Sequence, residues 1–379
     1  MKHVTAFIFV IAVLVRLCIA QSALLDSAAL AKQPWIDNLK DALKNPEKVY
    51  KLTLSANKLK TLPPEIGKLT ALQQLNLSYN ELSTLPSEIG QLKNLQAIIL
   101  TGNRFTEFPT QLYELRKLQL ISLSENSLTK IPVEIGVLSE LEWLGLGDNY
   151  LTELPENIGV LTKLKRLNVA NNQLNTLPKS IENLAHLIEL SATGNQFTEI
   201  PKEVFKLKNL QVLSFARNRI KEIPDEIANL KHLIKLYLFE NEISEINPAI
   251  FKLKKLQVLS LSNNQIKKIP DEIGELGELT WLGLNHNQCN YVPKSIGKLS
   301  KLEKLYLHNN LIYELPVEIS KLTKLTKINI SKNRISVLPM EISYLKQLRE
   351  LYIYDNPILP AQIEYLKAVM HKCKIDDEP

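Results

Sequence analysis

The side chains best suited to catalysis or metal binding are few in this chain, which has six histidines and three cysteines among 379 residues. His286 and His308 lie close to one period apart in a sequence that repeats every 23 residues, so we expect their side chains to be near each other. Two imidazoles alone make a poor metal site, because structural zinc takes four ligands. We therefore predict that both histidines belong to a binding surface and that the chain has no metal site.

No catalytic motif accompanies them. The sequence lacks GxSxG, HExxH and a glycine-rich phosphate loop, and it contains only 12 glycines. Cys289 stands where other repeats place Leu or Ile, which predicts a small core residue. Cys373 lies more than three repeats further on, beyond the reach of a disulfide, so both thiols should be free. These features predict a protein that is not an enzyme and needs no cofactor.

Aromatic side chains are more informative, because they recur at the positions that a repeating strand turns towards solvent. These positions lie six, four, two and one residue before the asparagine of each repeat. Aromatic residues flanked by polar ones are typical of protein-binding hot spots. The predicted partner-binding residues are Tyr237, Phe239, Glu240, Trp281, His286, Lys304, Tyr306, His308, Tyr352 and Tyr354, with Lys235, Lys327 and Lys332 beside them.

A second, smaller group on the same kind of position consists of Tyr79, Ile99, Leu120 and Trp143. Trp143 is followed by Gly145 and Gly147, and Trp281 by Gly283, so we expect an open floor beside each indole that could receive a ligand. The alternative is that these rings stack on cross-strand neighbours and stabilise the sheet by about 0.2–1 kcal/mol per pair.

The elements that position these residues are set by strict periodicity. An asparagine recurs every 23 residues without insertion or deletion, and a proline follows it six residues later in twelve of the repeats. The asparagines are Asn57, Asn80, Asn103, Asn126, Asn149, Asn172, Asn195, Asn218, Asn241, Asn264, Asn287, Asn310, Asn333 and Asn356. Such a repeat predicts a single solenoid domain, in which each unit contacts only its neighbours.

Within one repeat, Leu305 and Leu307 alternate with polar residues, which predicts a short strand with one buried face. Because every strand returns in the same direction, the strands should form a parallel sheet. The asparagine supplies one acceptor and two donors without a charge to desolvate, so we expect the fourteen to form a buried structural ladder. A bulkier outer wall should bend the sheet inward and make its face concave.

The repeat from Leu302 to Leu322 resembles the leucine-rich repeat, and the resemblance covers 49–356. The matching residues are Leu302, Leu305, Leu307, Asn310, Ile312, Leu315, Pro316, Ile319 and Leu322. Units of this length behind a signal-like segment are similar to the leucine-rich repeat proteins that spirochaetes export. The resemblance implies an α/β right-handed horseshoe with a parallel concave sheet of about 14 strands, helical caps at both ends, and binding of macromolecules on the concave face.

Four segments are predicted: 1–20, 21–48, 49–356 and 357–379. Residues 1–20 are basic at the start, then apolar, and are typical of a signal peptide cleaved after Ala20. A lipoprotein signal with Cys18 lipidated, a retained anchor and the absence of export remain alternatives. Residues 21–48 and 357–379 have helical spacing and should cap the array, and the last residues, 374–379, should fray.

Charge gives little indication of the partner. The net charge is +6, of which Lys2 and Arg16 supply two, so the remainder is too weakly basic to indicate nucleic acid. We predict a bacterial, secreted or surface-exposed, monomeric interaction module that binds a protein or glycan, with a host-derived partner as one version of this prediction. It should not insert into membranes after signal removal. The alternatives are a self-associating structural envelope protein and an intracellular scaffold of the small-GTPase-regulator type.

Overall fold

The computed structural model describes residues 24–378. The predicted signal peptide, including Cys18, lies outside these residues. The described residues form a parallel sheet of fifteen strands that follow one another in sequence order. The strands are β1 Lys51–Thr53, β2 Gln74–Asn76, β3 Ala97–Ile99, β4 Leu120–Ser122, β5 Trp143–Gly145, β6 Arg166–Asn168, β7 Glu189–Ser191, β8 Val212–Ser214, β9 Lys235–Tyr237, β10 Val258–Ser260, β11 Trp281–Gly283, β12 Lys304–Tyr306, β13 Lys327–Asn329, β14 Glu350–Tyr352 and β15 Lys374–Asp376.

A short 3₁₀-helix joins each strand to the next along most of the chain. In a typical repeat Pro316, with φ of −70°, precedes the helix, and its carbonyl accepts a hydrogen bond from Ile319 N at 3.0 Å. The helices are η1 Pro46–Lys48, η2 Pro64–Lys68, η3 Ser87–Gln91, η4 Thr110–Glu114, η5 Val133–Val137, η6 Glu156–Val160, η7 Lys179–Asn183, η8 Lys202–Lys206, η9 Asp225–Asn229, η10 Pro248–Lys252, η11 Asp271–Glu275, η12 Lys294–Lys298, η13 Val317–Lys321 and η14 Met340–Tyr344.

The core lies between the strands and these helices. Leu305 on β12 and Ile319 on η13 have no exposed surface, and the same is true of the equivalent residues in most repeats. The strands pair with a register offset of one repeat, so that Leu282 lies opposite Leu305 and Leu305 opposite Ile328. Burial of equivalent leucines next to one another explains why the period shows no insertion.

From Asn80 to Asn356 the asparagines satisfy the backbone where each strand ends. Asn57 is exposed, so the prediction that all fourteen are buried is wrong at this first position. Asn310 Oδ1 accepts a hydrogen bond from Cys289 N at 2.9 Å, and its Nδ2 donates to Leu284 O at 2.9 Å and Leu307 O at 3.0 Å. Two of these bonds reach the preceding repeat and one stays within its own. Since the group is buried, removing it would leave several peptide groups without partners.

The chain divides into two compact units. The first contains β1–β6, and the second contains Leu174–Leu177 and β7–β15. In the first unit, α1 (Ser27–Lys32) and α2 (Leu39–Ala42) precede β1, with Asp26 and Asn38 as N-caps. Between these helices Ile36 forms a parallel bridge with Leu52, so the N-terminal segment extends the sheet as well as covering it.

In the second unit, α3 (Pro360–Val369) follows the last repeat, and β15 then pairs with β14 in parallel. The expectation that residues 374–379 fray is therefore wrong for Lys374–Asp376. The pairing supplies the reason, because Lys374 N donates to Arg349 O and Ile353 N donates to Asp376 O, both at 2.8 Å. A short segment with little hydrophobic pattern can still form a strand when a neighbouring edge offers these partners.

Candidate functional site

The solvent-facing side of the sheet, opposite the 3₁₀-helices, presents the side chains that alternate with the buried leucines. On β12, Leu305 is buried, whereas Lys304 is exposed and Tyr306 is half-buried. This alternation places the predicted binding residues of β9, β11, β12 and β14 on one face of the second unit.

The residue before each asparagine has a backbone conformation that the period alone does not reveal. In every repeat its φ is positive, between 52° and 67°, in the left-handed region. These residues are Ala56, Tyr79, Gly102, Glu125, Asp148, Asn171, Gly194, Arg217, Glu240, Asn263, His286, Asn309, Lys332 and Asp355. Half of them are Gly, Asn or Asp, the residues that best tolerate this region, and this enrichment is the signal that could have identified the turn.

The most extensive side-chain network on this face runs across β11–β14. The Trp281 and Tyr306 rings lie 5.6 Å apart between centroids and are tilted by 48°. The Lys327 ammonium lies 6.0 Å from the Tyr306 centroid and 4.8 Å from that of Tyr352. Glu350 completes the group, which we call the β11–β14 cluster: Trp281, Tyr306, Lys327, Glu350 and Tyr352.

Glu350 holds the last three members of this cluster together. Its Oε2 atom accepts a hydrogen bond from Tyr352 OH at 2.6 Å and from Lys327 Nζ at 2.7 Å. The hydrogen bond from Lys327 holds the pKa of the Glu350 carboxyl below its usual value, and the same bond raises the pKa of Lys327. Both groups are therefore charged at neutral pH and already paired with each other.

The expected open floors beside the tryptophans are absent, and that expectation is wrong. A Cβ atom at Gly283 would lie 2.6 Å from Trp281 Cη2, and one at Gly145 would lie 2.6 Å from Trp143 Cη2. Each glycine therefore provides the space in which the indole of its own strand lies. The side chain two residues before the glycine fills the room that the missing Cβ leaves, because both point to the same face of the strand.

His286 and His308 are brought together, as their spacing predicts. Their ring centroids are 5.2 Å apart with a near-perpendicular arrangement, and Asn309 Nδ2 hydrogen-bonds to His286 Nδ1. His308 is half-buried, and its Nδ1 atom has no hydrogen-bond partner. Burial lowers the pKa of His308 to about 4, with further contributions from the charges of His286 and Lys332. In residues 24–378 no three His, Cys, Asp or Glu side chains are grouped so that they could hold a metal ion.

The predicted residues on β9 lie apart from the β11–β14 cluster, since β10 separates β9 from β11. Tyr237 is half-buried, and burial together with the charge of Glu189 raises its pKa. Glu240 pairs with Arg217 at 3.1 Å. Phe239 and Tyr354 are also half-buried on this face. The structure thus joins the residues of β11–β14 but leaves those of β9 as a separate group.

In the first unit, the smaller predicted group differs in exposure. Ile99 and Leu120 are buried in a small apolar cluster with Ala97, and Trp143 packs against it. Tyr79 covers Gly102 and its hydroxyl lies 3.5 Å from Glu125 Oε1. Only Tyr79 and Trp143 of this group are partly accessible.

Both described cysteines are free, as predicted. Cys289 is buried and its Sγ lies 3.4 Å from Ile266 O. Burial raises the thiol pKa to about 12 for Cys289 and to about 11 for Cys373. Thiols with raised pKa values are poor nucleophiles at neutral pH, which agrees with structural positions for both.

Comparison with known proteins establishes the family. A profile described as "Leucine rich repeat" matches residues 47–105, 189–243, 231–288 and 300–358, and one described as "Leucine-rich repeat region" matches 109–196. The chain is also 37% identical to a leucine-rich repeat protein of Leptospira interrogans, with a TM-score of 0.80, over 91% of this chain and 100% of that one. The chain belongs to the leucine-rich repeat family. The resemblance to spirochaete proteins and the predicted solenoid are confirmed, with fifteen strands instead of about fourteen.

Two further solved leucine-rich repeat structures indicate the range of proteins that share this fold. An internalin of Listeria monocytogenes is 25% identical with a TM-score of 0.72, over 80% of this chain and 87% of that one. The ectodomain of the Arabidopsis thaliana membrane receptor kinase GASSHO1, in complex with Casparian strip integrity factor 2, is 28% identical with a TM-score of 0.58, over 87% of this chain and 46% of that one. A comparison with curated proteins gives no match.

The leucine-rich repeat family and fold are generally non-catalytic and typical of protein-interaction modules. Within residues 24–378, none of the helices combines the length and apolar character that crossing a bilayer requires.

Proposed function

We propose that this leucine-rich repeat protein is an exported, non-catalytic interaction module that binds a protein partner on the solvent-facing side of β11–β14. The observation that carries the proposal is the β11–β14 cluster, a row of aromatic rings and paired charges across neighbouring strands. Trp and Tyr are the residues most enriched in interaction hot spots, where they combine a large apolar surface with a polar group.

Support for a polypeptide partner comes from the receptor kinase ectodomain, whose structure contains a bound ligand. The Lys304 and His308 side chains beside the cluster add groups that can form hydrogen bonds, and Lys304 is exposed. The β9 residues Tyr237, Phe239 and Glu240 form a second contact area on the same unit, which a larger partner could reach.

Export is proposed from the signal-like residues 1–20 together with the similarity to an internalin and to a receptor ectodomain. Mass spectrometry of the N-terminus of the chain isolated from its native source tests this directly. A mature N-terminus at Gln21 supports cleavage, and a lipidated N-terminus at Cys18 would indicate anchoring. An N-terminus that retains residues 1–20 contradicts both and fits either a retained anchor or the intracellular scaffold.

The binding surface is tested with the double substitution Trp281→Ala and Tyr306→Ala. Affinity capture with the immobilised chain, followed by measurement of the captured partner's affinity, should show that the double variant loses binding. Because the two rings contact each other, we expect a stability loss of about 1–2 kcal/mol as well.

The matched control is Trp143→Ala, which removes the same side chain from the same local sequence in the first unit. We expect this variant to keep full affinity for the captured partner. Equal losses of affinity in the two variants would contradict the assignment to β11–β14, and unchanged affinity in the double variant would overturn it.

A further inference from the structure

The charges on β11–β13 have one sign. The outward positions of these strands and the residues that follow them are Trp281, Gly283, Asn285, His286, Lys304, Tyr306, His308, Asn309, Lys327, Asn329, Ser331 and Lys332. Among these twelve positions there are three lysines and two histidines and no carboxylate. The face that carries Trp281 and Tyr306 is therefore locally basic on β11–β13.

Of these three lysines, Lys304 and Lys332 form no ion pair in the described part of the chain, whereas Lys327 does. Lys304 and Lys327 lie opposite each other on adjacent strands, an arrangement of like charges that is unfavourable when nothing compensates it. Lys327 is compensated by Glu350, but Glu350 already accepts hydrogen bonds from Lys327 and Tyr352. Within residues 24–378, neither Lys304 nor Lys332 has an ion-pair partner, and both are exposed.

The two histidines lie beside Lys332 on the same face. Burial is the main cause of the lowered pKa of His308, and the charges of His286 and Lys332 lower it further. The exposed Lys332 ammonium beside these rings would attract an anion.

From these charges and rings we propose that β11–β13 bind an extended acidic polypeptide segment, whose carboxylates contact Lys304 and Lys332 and whose apolar side chains contact Trp281 and Tyr306. The proposal deepens the proposed function and rests on it, because it names the chemistry of the partner for the same surface. Charge complementarity selects the partner and increases its association rate, while the aromatic contacts supply most of the affinity.

The test uses three synthetic peptides with the same apolar residues and with Glu, Gln or Lys at the alternate positions. Peptides of about eight residues span roughly 26 Å when extended, which exceeds the roughly 14 Å between β11 and β14. Fluorescence anisotropy at low ionic strength should show that the Glu peptide binds more tightly than the other two. Raising the salt concentration should weaken this preference.

The test variant is Lys304→Gln with Lys332→Gln, and we expect it to bind the Glu peptide about two- to thirtyfold more weakly. The matched control is Lys267→Gln with Lys268→Gln, which removes the same charge from exposed positions outside the strands of the same unit and should leave binding unchanged. Lys304→Arg keeps the charge and should also bind normally. Circular dichroism and thermal unfolding verify that each variant is folded.

Equal binding of the Glu, Gln and Lys peptides would overturn the proposal, and so would equal losses in the test and control variants. A sulfated oligosaccharide that binds while the Glu peptide does not would also overturn it, in favour of an anionic glycan. These failures differ from a failure of the proposed function, which is detected by partner capture with the Trp281→Ala and Tyr306→Ala variant. Loss of capture without a preference for the Glu peptide would reject only the acidic segment.

Discussion

Strands β5 and β11 carry the same tripeptide, Trp-Leu-Gly, and in both the indole lies over the glycine of its own strand. Each indole lies opposite an aliphatic residue on one side and a basic residue on the other, Leu120 and Arg166 for Trp143 and Val258 and Lys304 for Trp281. Trp143 nevertheless packs on a buried apolar cluster, whereas Trp281 contacts Tyr306. The same local sequence therefore stabilises the first unit and contributes to a polar, aromatic surface in the second.

This difference shows that the role of an outward residue in a solenoid depends on the residues one period before and after it. The glycine explains why the indole lies flat, but not whether the indole is available to a partner. If so, the repeats of β5 and β11 have the same buried asparagine and leucine framework and differ in what their solvent-facing side chains contact.

The largest effect should come from the shared scaffold. Asn149 and Asn287 each accept a hydrogen bond from the preceding repeat and donate to two strand carbonyls at 2.9–3.1 Å. Replacing either by Ala leaves buried peptide groups unpaired, at a cost of about 3 kcal/mol or more. Urea unfolding followed by circular dichroism should give similar losses for Asn149→Ala and Asn287→Ala. Clearly unequal losses would show that the two repeats do not share one scaffold.

The tryptophans should separate the two strands. We expect Trp143→Ala to destabilise the chain by about 2 kcal/mol, because it uncovers an apolar cluster, and Trp281→Ala by about 1 kcal/mol, because it removes one ring contact. The loss of partner affinity should be larger for Trp281→Ala than for Trp143→Ala. If Trp281→Ala is the more destabilising variant and binding is unaffected, then stacking alone explains both rings.

A pH effect should be specific to the strand that follows β11. The pKa of His308 is lowered to about 4 in the folded chain, so between the ordinary histidine value and pH 4 the unfolded chain binds a proton that the folded chain does not. Stability should therefore fall as the pH is lowered through this window. The variant His308→Gln should show a weaker decrease than the parent chain between pH 6.5 and about 4.5, above the range where carboxylates dominate. An identical decrease in both chains would rule out His308 as a cause.

The smallest effect concerns the left-handed residue of each repeat. Asp148 and His286 occupy the same position, with φ of 55° and 53°. Glycine relieves strain at such a site but costs entropy, and Asp already tolerates this conformation. We expect His286→Gly to stabilise the chain by about 0.5 kcal/mol and Asp148→Gly to have almost no effect. A destabilising His286→Gly substitution would mean that its contacts with His308 and Asn309 outweigh the strain.

Much of the fold follows directly from the repeat. The unbroken asparagine period predicts strand register, and the leucine spacing predicts the buried face, because burial and backbone pairing impose the same constraint on every unit. His286 and His308 could be placed near each other for the same reason. Such inferences require only that neighbouring repeats be structurally equivalent.

Other features depend on contacts that the period does not encode. Trp281 packs on Gly283 of its own strand, so the indole fills the space that this glycine led us to expect. Burial of Leu120 depends on Ala97 and Trp143 in the adjacent repeats. Strand β15 forms because β14 offers a partner. The conformation at His286 was hidden because the equivalent residue is a glycine in only two repeats.

Strand β15 has a consequence for the behaviour of the protein at high concentration. If β14 were the last strand, it would present unpaired backbone groups to which the strands of other molecules could add. Within residues 24–378, β15 pairs with this edge of β14, and its Lys374 and Asp376 form an ion pair at 3.6 Å. A short charged edge is a poor template for intermolecular strand addition. Pairing of β15 with β14 thus covers this edge with a strand that carries both charges, which disfavours strand addition there.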